Sequence, residues 1–333
     1  MTERGKNALK LGAMGLFLLC AAGLGLALGS TALNLAEAVS GLLGGGALPA
    51  GSRILLYVRL PRVCASLLAG AALAVSGMLI QGALGNPLAA PNVIGVNAGA
   101  GFFTFLAMAA FPGVRGAAPL GAFLGALTAT LIVYAVAAGA GAGKLTIILA
   151  GVAVSSVFTA GINGIKTFFP ETLYNGSTFL IGGFAGVSLG DITPAWGMIL
   201  LGLAGALLLG GQADLLALGE ETARSLGQNT GLMRFLLIVT ACVLAGAAVS
   251  FSGLLSFVGL LVPHIVRRLF GESRTSHRLM LAGAALLGAG FVTLCDLLSR
   301  VLFAPYEIPV GILLSFVGGP FFLTLILKRR QPA

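Results

Sequence analysis

The chain has 333 residues, 58% of them hydrophobic and 9% charged, with 19 Lys and Arg against 10 Asp and Glu for a net charge of +9. Residues 63 to 114 carry no charge at all, which leaves room for two bilayer crossings at about 20 apolar residues each and excludes a soluble globular domain. The basic residues are spread among short loops with no basic stripe, which argues against a nucleic-acid partner and leaves an all-α polytopic membrane protein surrounded by lipid.

At the N-terminus, Arg4, Lys6 and Lys10 precede an apolar run from Leu11 to Leu28. The run exceeds a secretory h-region and lacks an A-x-A site, so it reads as a retained first span. Cutting the chain at charges and at Pro/Gly-rich breaks places spans at 11–30, 63–84, 93–111, 119–138, 145–165, 193–211, 235–252, 254–266, 279–299 and 308–327. The uncharged run 235–266 is the hardest to divide. Arg224 and Arg234 precede it and Arg267, Arg268, Arg274 and Arg278 follow it. The positive-inside tendency puts both flanks on one side and requires two crossings with a turn near Ser250 to Gly253. Ten spans then put 13 Lys and Arg on the cytoplasmic side, with both termini, and 6 on the other.

The extramembrane segments, about 31–62, 166–192 and 212–234, are too short to fold alone, so residues 1–333 form one transmembrane domain. Within the second lies STFLIGGFAGVSLG, too short to span and suited to a surface or re-entrant helix. The 51 glycines suit close helix packing in lipid. Cys20, Cys64, Cys242 and Cys295 fall in separate apolar segments without CxxC spacing and read as buried small hydrophobes.

Chemistry is sparse. Asp296 and His264 lie near span ends, His264 as a structural group, so no catalytic residue and no metal site is expected, and a carrier driven by an ion gradient also lacks midplane charges. That carrier, moving a small polar solute, stands as the alternative function. The stretch AGAGAGKLT around Lys144 resembles a phosphate loop but has Ala138 where the first Gly is needed and Leu145 where Ser or Thr must follow the Lys. The chain thus has no ATP site by that motif and binds no cofactor directly; uphill transport would draw on another subunit. Against this background LALGEETARSLG, residues 216–227, stands out as charged. Glu220, Glu221 and Arg224 share one face of a short helix, with Leu218 and Leu226 offering apolar contact. Two readings fit: a helix that docks into a partner's groove, or a solvated loop helix with internal ion pairs.

The segment resembles the coupling helix of ATP-binding-cassette importer permeases, with Glu221, Ala223 and Gly227 at its spacing and Gly219, Glu220 and Arg224 as coupling candidates beside them, inside a cytoplasmic coupling segment of about 212–234. RLPR at 59–62, GNPLAAPNVIGVNAGA at 85–100, GLLSFVGLLVPHIVRRL at 253–269 and EIPVGILLSFVGGPFFLTLI at 307–326 are similar to the FecCD-type branch, which imports iron-siderophores, haem and cobalamin. The resemblance covers residues 53 to 330 in order. It implies a bacterial cytoplasmic-membrane subunit of the type II importer fold. It also implies a homodimer, two ATPase subunits carrying ATP-Mg, and an extracytoplasmic substrate-binding protein.

The resemblance also implies roles for single residues. Arg59, Arg62 and Arg300 would receive acidic groups of the binding protein, although snorkelling to headgroups and an Asp296–Arg300 pair are the plainer readings. Ser155, Ser156, Thr159 and Asn163 on the fifth span would line the translocation path, against interhelical bonds or bonding back to their own helix. Asn86, Pro87 and Pro91 need only a helix-breaking role.

Overall fold

A computed structural model describes residues 3–43, 48–140, 143–271 and 275–329. Arg274 and Arg330, counted for topology, lie outside these, and the side chains of Lys328 and Arg329 are not described.

Ten helices traverse the described bundle: α1 (Glu3–Ala27), α4 (Leu60–Leu84), α5 (Val96–Ala110), α6 (Ala117–Gly139), α7 (Lys144–Phe168), α9 (Leu189–Ala217), α11 (Thr230–Ser252), α12 (Val258–Phe270), α13 (His277–Val301) and α14 (Val310–Arg329). Seven are long and apolar enough to cross a bilayer by themselves, and α5, α12 and α14 are shorter. The short helices α2 (Leu35–Leu43), α3 (Ala50–Ile54), α8 (Leu173–Ile181) and α10 (Glu220–Ser225) decorate the two ends. Each expected span corresponds to one of these ten helices.

Several expected boundaries move, with α1 beginning at Glu3, α9 running on to Ala217 and α11 beginning at Thr230, and two further shifts alter the reading. The segment 31–62 is not all connection, because α3 runs through a π-helical turn, Leu55–Arg59, into α4 as one helix from Ala50 to Leu84. Arg53, Arg59 and Arg62 interrupt the hydropathy without interrupting the helix. The eighth span begins at Val258, not 254, because residues 253–257 are non-helical and Phe257 sits at φ 66. The turn itself falls where expected: α11 ends at Ser252, and Gly253 takes φ 66.

Helix α4 is the hub, packed against α9, α11, α12 and α13. Its glycines let backbones nearly touch: a Cβ on Gly70 would collide with the carbonyl of Gly288 on α13, and one on Gly77 with Gly259 on α12. In lipid, where no hydrophobic drive brings helices together, this approach yields the dispersion contact that holds them. Buried hydroxyls add interhelical bonds: Ser76 to the Ala241 carbonyl at 2.6 Å, and Ser66 with Thr293 at 2.9 Å. Cys242 and Cys295 are buried as expected, but Cys20 is exposed on α1, a helix little buried by its neighbours, and Cys64 is half-buried.

The re-entrant piece is partly helical. α8 ends at Ile181, and Gly176 lies so close to the Phe105 ring that a Cβ there would overlap it. The following loop joins three elements through backbone alone: Leu254 N donates to Phe179 O (2.9 Å), Gly183 N to Ser252 O (2.8 Å) and Gly311 N to Gly182 O (3.2 Å). Buried or half-buried, these backbone groups are satisfied by one another.

Candidate functional site

At one end, α10 hangs between α9 and α11 and is defined by its glycines. Gly219 precedes it at φ 105 and Gly227 follows at φ 83, both in the left-handed region that side chains resist. Ala223 is fully buried toward the bundle. Glu220 fastens the helix: one carboxylate oxygen takes Arg224 at 2.7 Å, four residues on, and the other takes Arg234 of α11 at 2.7 Å. Arg234 is buried and also donates to Ala83 O near the end of α4. The Arg234 hydrogen bond outweighs burial and, with the charges of Arg234, Arg224 and Lys144, holds the Glu220 carboxyl below the usual carboxylate range. Gln228 ties the exit of α10 to Gln212 on α9.

The outward face of the segment is left open. Leu218 is 60% exposed and Leu226 59%, and Glu221 is exposed with no hydrogen bond or ion pair among the described residues. Internal ion pairing and an open apolar–acidic face therefore coexist, divided between Glu220 and Glu221. The sequence did not single out Arg234. Its signal was a charge in the first turn of a span, where it can only face the preceding loop or the protein.

At the opposite end the three arginines are brought together but turned inward, with relative exposures of 3% for Arg59, 6% for Arg62 and 3% for Arg300. Arg59 donates to Leu26 O (2.9 Å), Ala27 O (2.6 Å) and Thr31 O (2.6 Å), capping the C-terminus of α1 where carbonyls lack intrahelical partners and the dipole favours a cation. Arg62 Nε meets both oxygens of Asp296 at 3.0 and 3.1 Å, and its Nη1 meets Glu307 at 2.6 Å. Arg300 pairs with Asp296 at 3.2 Å, as the i, i+4 spacing suggested, and reaches toward Gly25 O and Leu28 O. Glu307, unremarked in the sequence, also accepts from Ser30 Oγ at 2.9 Å. Burial pushes the Glu307 carboxyl up, but the Arg62 and Ser30 bonds and the nearby Arg62 and Arg300 charges leave it below the usual range.

Beside Arg62 and Glu307 opens a cavity of ≈ 400 Å³, walled by α8, the 182–187 loop, the end of α11 and residues 307–309.

On α7 the four polar residues divide. Ser156 bonds back to Val152 O at 3.0 Å and Thr159 to Ser155 O at 2.8 Å. Asn163 is exposed and Ser155 half-buried beside Gly95; neither side chain has a hydrogen bond among the described residues. One side of α7 packs on α5 and α6, while Leu149, Val152 and Val157 on it are exposed.

Residues 16–328 match the FecCD transport family. Among curated relatives, the Fe(3+)-citrate import system permease protein YfmD of Bacillus subtilis is 37% identical over 84% of this chain and 82% of its own length. The hemin transport system permease protein HmuU of Yersinia pestis is 36% identical over 84% of each. A solved inward-facing ABC transporter of the metal-chelate type superposes with a TM-score of 0.84 at 29% identity, covering 96% of this chain and 98% of that one. The ten traversing helices, the α10 element between α9 and α11 and this breadth of match agree, and the chain belongs to the FecCD transport family as a multi-pass permease of the ABC importer class.

Proposed function

We propose that this chain is the membrane subunit that carries an iron chelate, of the siderophore, citrate or haem kind, across a bacterial cytoplasmic membrane. Two copies form the path and two separate ATPase subunits drive it. The α10 end is cytoplasmic, in keeping with the positive-inside bias, and α10 is the handle that the ATPase grips. Glu220 fixes the handle to α11 and α4, while Leu218, Leu226 and Glu221 face the partner. The observation that carries the reading is this division of labour: a six-residue helix bolted to the bundle on one side and apolar and acidic on the other.

The path runs along the exposed side of α7, past Ser155, Ser156, Thr159 and Asn163, whose groups carry no fixed charge to trap a bulky polar chelate. Two of them are occupied by their own helix, so they present a weakly polar wall. The opposite end receives the substrate-binding protein. Arg59 and Arg300 act there by holding α1 and α13 in place, and Arg62 is the arginine that borders the open cavity. Cargo is assigned to iron chelates because the relatives carry Fe(3+)-citrate and hemin in their names.

The test is ATP-driven uptake of ferric chelate into proteoliposomes, with and without the ATPase subunits. Leu218→Asp and Glu221→Lys, both on the exposed face, are expected to abolish uptake and ATPase binding while leaving the bundle folded. Uptake by the chain alone under an ion gradient would establish the secondary-carrier reading instead.

A further inference from the structure

Arg62 has two carboxylate partners that differ in kind. Asp296 is fully buried, comes from the same hydrophobic core and is shared with Arg300. Glu307 is about a third exposed at the side chain and sits on the non-helical segment before α14. It reaches Arg62 through Nη1 alone and keeps its second oxygen on half-buried Ser30. Arg62 and Glu307 both line the ≈ 400 Å³ cavity, and the polar side chains of Asn175 and Thr178 line the same space. A carboxylate entering this cavity meets a guanidinium whose burial is already compensated by Asp296.

Exchanging one carboxylate for another on Nη1 conserves the ion-pair count and the charge-assisted hydrogen bond, so the exchange costs little beyond ordering the incoming group. Glu307 competes as a tethered group at high effective concentration. Its release acts on a defined place: Ile308 N is bonded to Ser299 O at 3.2 Å, α14 begins at Val310, and Gly311 N is bonded to Gly182 O.

We propose that Glu307 occupies Arg62 as an internal stand-in for an acidic side chain of the docking protein, and that docking displaces it, freeing residues 302–309 and with them the start of α14. The proposal rests on the reading that a binding protein docks at this end. It adds a self-occupied site, its occupant and the segment released.

The experiment measures affinity of the purified binding protein of the same transport system for the reconstituted complex by surface plasmon resonance. Glu307→Gln, which keeps a carbonyl acceptor for Arg62 and can donate its amide to Ser30 Oγ, is expected to tighten binding about ten-fold, the worth of one charge-assisted hydrogen bond. Arg62→Ala would leave buried Asp296 with Arg300 alone and endanger folding, so the companion variant is Arg62→Lys. The ammonium can pair with Asp296 but lacks the planar fork that holds two carboxylates at once. It should weaken binding at least ten-fold and erase the gain from Glu307→Gln in the double variant. If Arg62→Lys weakens binding and Glu307→Gln leaves it unchanged or weaker, the exchange is wrong while docking at Arg62 stands. If Arg62→Lys has no effect, the docking reading fails and takes the exchange with it.

Discussion

The two ends of the bundle use the same chemistry at different depths. At the α10 end, Glu220 is about a third exposed and pairs with one exposed and one buried arginine. At the other, Asp296 is fully buried between Arg62 and Arg300, both themselves buried. The shallow cluster fastens an appendage and leaves that appendage's far face free; the deep one fastens core helices to one another. Depth, more than the number of ion pairs, decides whether such a cluster is part of the frame or a fitting upon it.

The sharpest way to break this contrast is to delete the deep carboxylate. Asp296→Ala leaves buried Arg300 without a carboxylate and buried Arg62 with Glu307 alone, and should cost about 3–5 kcal/mol, read as loss of folded monodisperse protein in detergent and a collapsed thermal transition. Survival with an unchanged transition would show that the depth argument is mistaken. Next comes Arg234→Ala, which removes the bolt from α10 but leaves the bundle helices their own packing. We expect a local penalty of about 1.5–3 kcal/mol, seen as at least ten-fold faster amide exchange over residues 219–228 with little change elsewhere. Exchange rising along the whole of α11 would mean that Arg234 belongs to the frame.

The smallest effect is the pH response. Because the folded Glu220 carboxyl titrates below its ordinary value of 4.5, its contribution is fully present above that value and is lost as pH falls through the folded pKa. Protection of residues 219–228 should therefore be flat from pH 8 to 5 and decline only in more acidic solution. Glu220→Gln should remove the decline. A change centred near neutrality would assign the response to another group.

How much of this was legible depends on the range of the interaction. Spans were legible because a bilayer imposes long apolar runs, and the 235–266 division followed from charge on its flanks. The helix from Ala50 was not, since hydropathy places an end wherever Arg53, Arg59 and Arg62 fall, whereas helical hydrogen bonding tolerates arginine well. The non-helical 253–257 lies in a uniformly apolar run, and its path is set by contacts with α8 rather than by its composition. Among the ion pairs, Glu220–Arg224 and Asp296–Arg300 were visible as i, i+4 neighbours. Arg62–Asp296 and Arg62–Glu307 join residues 234 and 245 apart and exist only once α4 lies against α13. Likewise, outward placement of Arg59, Arg62 and Arg300 along the chain said nothing of where their guanidinia point.

The joint where α8, α11 and α14 meet is made of peptide groups: the amides of Gly183, Leu254 and Gly311 and the carbonyls of Phe179, Gly182 and Ser252. Every amino acid except proline brings the same amide, yet the joint also needs bare backbone, because a Cβ on Gly182 would meet Leu254 O at 2.5 Å and one on Gly311 would run into Ile181 O, so alanine at either position would force the segments apart. Side chains lining the neighbouring walls can drift to suit different cargoes while the joint persists unaltered, a division that lets one scaffold diversify without renegotiating its own assembly.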